Sequence, residues 1–275
     1  MKKITPILLC LTATLQIQNI NAQIINYTTL GTTISENFDN LISSGNVPNV
    51  FSSTPGIQAG IPGLTGWYGT KISGASSINT NFTASDGSFP NGGLYSYGSA
   101  GSTERALGAL ASSNNTMAFG VAIANLTGHT LTEFTITYDG EFWRSPNAQL
   151  NTLSFYYGFD VTPGVNLSNF LSSPNMIPFP LLDLIGPAPN GNSFPLDGNL
   201  PANRTAGITS TVTGISWQPG QVLFIAWRDQ DNIGSDAGLA VDNFSLTPAP
   251  EPSTFALIVL GISLLLFHLR RNKNA

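Results

Sequence analysis

Hydrophobic and polar side chains alternate with a period of two along several stretches of the chain, the pattern of strands with one buried face. The clearest stretch is Leu131 to Tyr138. After one slip, Leu131, Phe134, Ile136 and Tyr138 fall on one side and Thr132, Glu133, Thr135 and Thr137 on the other. Met117 to Leu126 alternates large residues with Ala and Gly, which predicts a strand lying close to its neighbour on the small-residue face. Asn125 to Gly128 predicts a turn between these two, and Leu153 to Tyr157 the next strand. Ile208 to Trp217, Val222 to Arg228 and Gly238 to Leu246 predict three more, the first pair joined by a Pro219-Gly220 turn. Earlier in the chain, Ile34 to Leu41 reads as an opening strand and Val47 to Gly66 as a loop rich in Pro and Gly. Trp67-Tyr68 reads as a cap on the core, and Leu94 to Tyr97 and Arg105 to Leu110 as short strands. Pro163 to Asn203 breaks the pattern with prolines, glycines and asparagines, and is expected to be a long surface excursion or a binding loop. Short strands parted by turn residues, with no long 3.6-residue period, predict an all-β fold. The expected architecture is an antiparallel two-sheet β-sandwich of jelly-roll type.

The two ends read differently. Met1-Lys-Lys3, an apolar run from Ile4 to Leu15 and a cleavage site after Ala22 form an export signal over 1–22. Cys10 falls within it, so the mature chain has no cysteine and its fold must stand without disulfides. At the other end, Phe255 to Leu269 carries no formally charged side chain apart from a proton on His268. As a helix it would reach about 22 Å, a short span that snorkelling of Arg270 and Arg271 lengthens. The expected division is a signal peptide over 1–22 and a β ectodomain over 23–247. A Pro-rich segment over 248–254 then leads to a membrane helix with a basic cytoplasmic tail over 255–275, oriented by Arg270, Arg271 and Lys273.

Pro250-Glu251-Pro252, the apolar stretch and Arg270-Arg271 occur in the order and place of a sorting signal. This tail resembles the PEP-CTERM signal of Gram-negative bacteria. The resemblance implies an exosortase as processing partner, insertion in the inner membrane beforehand, and a final place at the cell surface or in the extracellular matrix, where such systems accompany exopolysaccharide. It covers about the last 28 residues of the chain and implies nothing about the fold before them. Phe38-Asp39, Tyr138 to Arg144, Leu196 to Asn199, Trp227 to Asp231 and Gly238 to Phe244 are similar to segments of secreted β-sandwich domains. They are also similar to lectin-like and carbohydrate-binding jelly rolls, whose first and last strands pair.

Charge narrows the functions further. Only 9% of the residues are charged, and 23–247 holds five basic and fourteen acidic ones, a net of −9. Such a surface disfavours nucleic acid. With no mature cysteine, and with His129 the only histidine outside the tail, neither a nucleophile-histidine set nor a zinc site finds its residues. Glu141, beside Trp143 and Arg144, is the leading acid for a glycosidase, which would need a second carboxyl across a cleft. Glu141 can instead pair with Arg144, and Arg144 with Asp229. Trp143, near a strand end, is the preferred exposed ring for stacking a sugar. Two acidic sets could hold a structural Ca²⁺, the one cofactor the sequence suggests: Asp229, Asp231 and Asp236 on one loop, or Glu36 and Asp39 meeting Asp242. The expected function is a non-enzymatic surface or matrix protein that is structural or adhesive towards polysaccharide. A carbohydrate-binding module and a glycoside hydrolase are the alternatives.

Overall fold

The structure, a computed structural model, describes residues 24–160 and 167–250. The export signal, Glu251, Pro252, the apolar span, and Arg270, Arg271 and Lys273 lie outside the described residues. No helix among the described residues is long and apolar enough to cross a membrane.

Two eight-stranded sheets carry almost all of the regular structure. The first holds β1 (Ile25–Tyr27), β4 (Ala59–Gly60), β5 (Trp67–Ser73), β9 (Thr116–Asn125), β11 (Thr152–Phe159), β12 (Ile177–Pro178), β13 (Leu184–Ile185) and β15 (Val222–Asp229). Its order is β12-β11-β15-β9-β5-β4, with β1 added to β9 and β13 to β11. The second holds β2 (Ile34–Glu36), β3 (Asn46–Val47), β6 (Asn79–Ser85), β7 (Gly93–Tyr97), β8 (Ala106–Leu110), β10 (Leu131–Arg144), β14 (Arg204–Trp217) and β16 (Gly238–Ala249). Its order is β14-β10-β16-β8-β7-β6-β3, with β2 on β16.

The chain is therefore an all-β protein, and aromatic rings lock its two sheets face to face. Trp227 of β15 lies edge-on to Tyr138 of β10 at 5.5 Å and to Phe244 of β16 at 5.9 Å, and stacks on Trp67 of β5 at 6.1 Å. All four are at most 1% exposed. One expectation needs correction: the sheets are not wholly antiparallel. β1 runs parallel to β9, with Ile25 opposite Ile123, and β6 runs parallel to β7, with Thr83 opposite Tyr95. The opening strand is also shorter than its pattern predicts. β2 stops at Glu36, because Phe38 takes a φ of +58° to drop its ring into the core against Trp67. The stretch read as an irregular excursion returns to the core, where Leu182 and Leu184 are fully buried. β16 continues past Leu246, with Pro248 opposite Phe134 and Ala249 opposite Glu133, so Pro250 is the first residue beyond the sheet.

A hydroxyl face and a buried carboxylate cluster

The outer face of the second sheet is built by simple alternation along β10. Phe134, Ile136 and Tyr138 point into the core, which leaves Thr135, Thr137, Asp139, Glu141 and Trp143 for the other side. That side divides into an open half and a covered half.

The open half is a lattice of hydroxyls. Thr135 lies opposite Thr211 of β14 and Thr247 of β16, and Thr137 opposite Thr209 and Ser245. Ser245 in turn lies opposite Ser35 of β2. The side chains bond across the strands: Thr135 to Thr211 and Thr137 to Thr209 at 2.7 Å each, and Thr33 to Thr247 at 2.8 Å. Strand spacing sets the repeat at about 4.8 Å across the sheet and about 6.8 Å along it. Each contributing strand shows the signal as a Thr/Ser-x-Thr/Ser step, which sequence reading took as ordinary strand polarity.

The covered half begins where Trp143 stacks on Tyr97 at 6.0 Å with the rings 6° apart. Tyr95, Ala106, Leu110 and Ala240 complete this small core on the outside of the sheet. The chain near Gly198 closes over it. Leu196 N–H donates to the Trp143 carbonyl at 2.8 Å, and a Cβ on Gly198 would stand 2.5 Å from Trp143 Nε1, so only glycine fits against the ring. Trp143 is 1% exposed, against the expectation of an open stacking ring. Burial follows from facing Tyr97 rather than solvent. Arg144 donates to the Gly87 carbonyl at 3.0 Å and pairs with neither Glu141 nor Asp229.

Carboxylates gather at the boundary between the halves. Asp242 of β16 lies opposite Asp139 of β10, and Glu141 lies opposite Ala240. Asp242 reaches this face only because the register shifts: Ser245 pairs with Thr137 but Asp242 with Asp139, an odd step absorbed where Asn243 takes a φ of +49°. Glu104, just ahead of β8, joins from the other flank of β16. One carboxylate oxygen from each of Glu104, Glu141 and Asp242 lies within 4.8 Å of the others. Glu141 is fully buried. Its Oε2 accepts the Trp143 indole N–H at 2.9 Å, while its Oε1 accepts no hydrogen bond, and neither does Glu104 Oε2. Burial, then the Glu104 charge working against the indole hydrogen bond, pushes the Glu141 carboxyl up to about 7. Burial and the Glu141 charge push Asp242 up to about 8, against the hydrogen bond from Asn243 N–H. Beside them, Arg204 forms an ion pair with Asp139. Burial opposes ionisation of Asp139, but hydrogen bonds from Gly207, Arg204 and Asn243 hold it below the usual carboxylate range.

The partners expected for Asp242 are engaged elsewhere. Glu36 Oε1 accepts Phe38 N–H at 3.0 Å, and Asp39 accepts Arg105 N–H at 3.3 Å and the Asn37 amide at 2.7 Å. In the other acidic set, Asp229 ends β15, and Asp231 and Asp236 lie on the loop that follows it. Asp229 is fully buried, with its Oδ2 accepting Ala111 N–H at 2.7 Å. Asp236 Oδ1 accepts Asn232 N–H at 2.9 Å and the Asn151 amide at 3.0 Å. Burial, then the Asp236 charge, raises Asp229 well above its ordinary range, and Asp236 is raised to about 7, chiefly by burial. Asp231 sits half-buried on the wall of an open polar hollow of about 570 Å³, with Asn114, Gln149 and Asn232. N–H donors thus meet one oxygen each of Asp229 and Asp236, while Asp229 Oδ1 and Asp236 Oδ2 are buried without a hydrogen bond. His129 is exposed in its turn, as its position predicts.

No protein-family model matches the chain, and no curated protein matches its sequence. Among solved structures, it is similar to TmCBM61 in complex with β-1,4-galactotriose, at 7% identity and a TM-score of 0.25 over 54% of this chain and 72% of that one. It is also similar to the arabinose-bound α-L-arabinofuranosidase MgGH51, at 11% identity and a TM-score of 0.34 over 82% of this chain and 30% of that one. Likenesses this slight carry no correspondence of residues.

Proposed function

We propose that the chain is an exported, non-enzymatic surface protein that adheres to uncharged matrix polysaccharide through the hydroxyl face of β14, β10, β16 and β2. The hydroxyl face is the observation that carries this reading. Thr33, Ser35, Thr209, Thr211 and Thr247 are exposed, and the strands repeat the same donor-acceptor group at a fixed spacing. A hydroxyl both donates and accepts, so a repeating array of them suits a repeating polymer of hydroxyls. The acidic balance of the domain favours a neutral polymer over an anionic one. The tail supports delivery: its resemblance to a sorting signal begins at Pro250, directly after β16 leaves the sheet, so an exosortase cutting there would release the sandwich with its last strand whole. A non-catalytic role is in keeping with Glu141, the leading candidate acid, lying fully buried against an indole rather than across an open cleft.

The test is co-sedimentation of the full-length protein with insoluble neutral β-glucan and chitin, with alginate as the anionic comparison. Binding is expected to a neutral polymer and not to alginate. Replacing Thr135, Thr137, Thr209 and Thr211 together by Val removes both members of two hydroxyl pairs while keeping β-branched side chains. At about 1 kcal/mol per net hydrogen bond, this variant should bind at least about tenfold more weakly. No binding to either neutral polymer, or wild-type binding by the quadruple variant, would overturn the proposal.

A further inference from the structure

We propose that Glu104, Glu141 and Asp242 form a Ca²⁺ site that ties the approach to β8, the middle of β10 and the bulge of β16 together on the outer face of the second sheet. Two oxygens bound to one Ca²⁺ at about 2.4 Å can stand no more than about 4.8 Å apart. All three carboxylates meet that limit pairwise.

A cluster of acids alone would prove little, since protons can hold one together. Here the spare oxygens point to a cation. Glu141 is fully buried, yet its Oε1 has no hydrogen-bond donor, and Glu104 Oε2 is buried without one as well. Buried acceptors left empty are rare, because each costs its lost hydration. The two nearby guanidiniums bond to other groups, and Arg204 Nε is buried without an acceptor. Arg204 is bonded to Asp139, and Arg105 directs its donors to the Ser96 hydroxyl and the Ser96 and Ser99 carbonyls. No described cation therefore bonds to the three acids.

The donor set selects the ion. Three carboxylates with no histidine or cysteine among them make a hard, all-oxygen site, unlike that of zinc. Residues from three different strand regions give it an irregular shape, which Ca²⁺ tolerates better than the octahedral Mg²⁺. Trp143 has a part in this reading: its N–H occupies Glu141 Oε2 and leaves Oε1 without a hydrogen bond. The site is independent of the adhesive face, so the two proposals fail separately.

Terbium supplies the test, because it occupies Ca²⁺ sites and emits when a neighbouring indole is excited, and Trp143 lies within one hydrogen bond of Glu141. Full-length detergent-solubilised protein, stripped with chelator, should show saturable Tb³⁺ emission that Ca²⁺ displaces. Millimolar Ca²⁺ should also raise its melting temperature. Glu141→Gln and Asp242→Asn should each weaken Ca²⁺ binding at least tenfold. Glu104→Gln, at a half-buried position outside any strand, should do the same and serves as the readout should the buried variants fail to fold. Asp236→Asn should bind as wild type does. No saturable Ca²⁺ binding up to about 10 mM would overturn the proposal, since extracellular sites bind within that range. So would binding lost in Asp236→Asn but kept in Glu104→Gln.

Discussion

Two groups of buried acids show how little charge this sandwich can neutralise with its own cations. At Asp236 the loop uses amide donors instead, and the carboxyl is still pushed up to about 7. The sign of the pH dependence follows. An unfolded aspartate ionises near 4, whereas the folded one holds its proton to about 7. The stabilising term is thus fully present below about pH 4 and is lost as the pH rises through 7. Asp236→Asn mimics the protonated acid and keeps an acceptor for Asn232. In chelator, it should match wild type in urea unfolding near pH 4 and exceed it by roughly 2–4 kcal/mol at pH 8. A variant no more stable than wild type at pH 8 would show that Asp236 ionises freely in the fold. Sequence reading found these loop acids through their spacing. It missed Glu104, which has no local pattern and meets Glu141 and Asp242 only because β8 and β10 flank β16. It gave Trp143 to solvent because nothing nearby in sequence shows that Gly198 comes to rest on the ring.

Strands with one polar face were readable almost residue by residue. β11, β14 and the first half of β10 lie where the alternation places them, and β9 and β15, buried on both faces, lie where their apolar runs place them. From Gly140 to Trp143, β10 is covered on both sides, and Gly140 and the outward Trp143 interrupt the alternation although the strand continues. β6 was missed for a different reason: its Asn- and Thr-rich sequence reads as loop, and a parallel partner supplies its hydrogen bonds. The sheet-to-sheet contact centres on β15 through Trp227, whose ring meets Trp67, Phe119, Tyr138, Phe155 and Phe244 at 5.4 to 6.1 Å. Trp227→Ala should cost about 3–5 kcal/mol in denaturant unfolding, the range for emptying a large aromatic site in a tightly packed core. A loss below about 1 kcal/mol would mean that the sheets are held together elsewhere.

For the molecule as a whole, the two-sheet β class was legible because it depends on short-range alternation, while its parallel pairings were not, because they depend on which strands meet. The hydroxyl face lay in plain view as repeated Thr and Ser, but became a surface only when β14, β10, β16 and β2 were set side by side. The tail reads from sequence alone, and the sandwich adds one fact to it: the last ladder pair is Glu133 with Ala249, so Pro250 leaves the sheet directly. As proposed, a removable tail delivers this face to the outside. Intact-mass analysis of the protein recovered from the surface or matrix of the producing cells tests it most directly. The expected chain lacks 1–22 and ends close to Pro250, without the apolar span. A surface-recovered chain that still ends at Ala275 would contradict it.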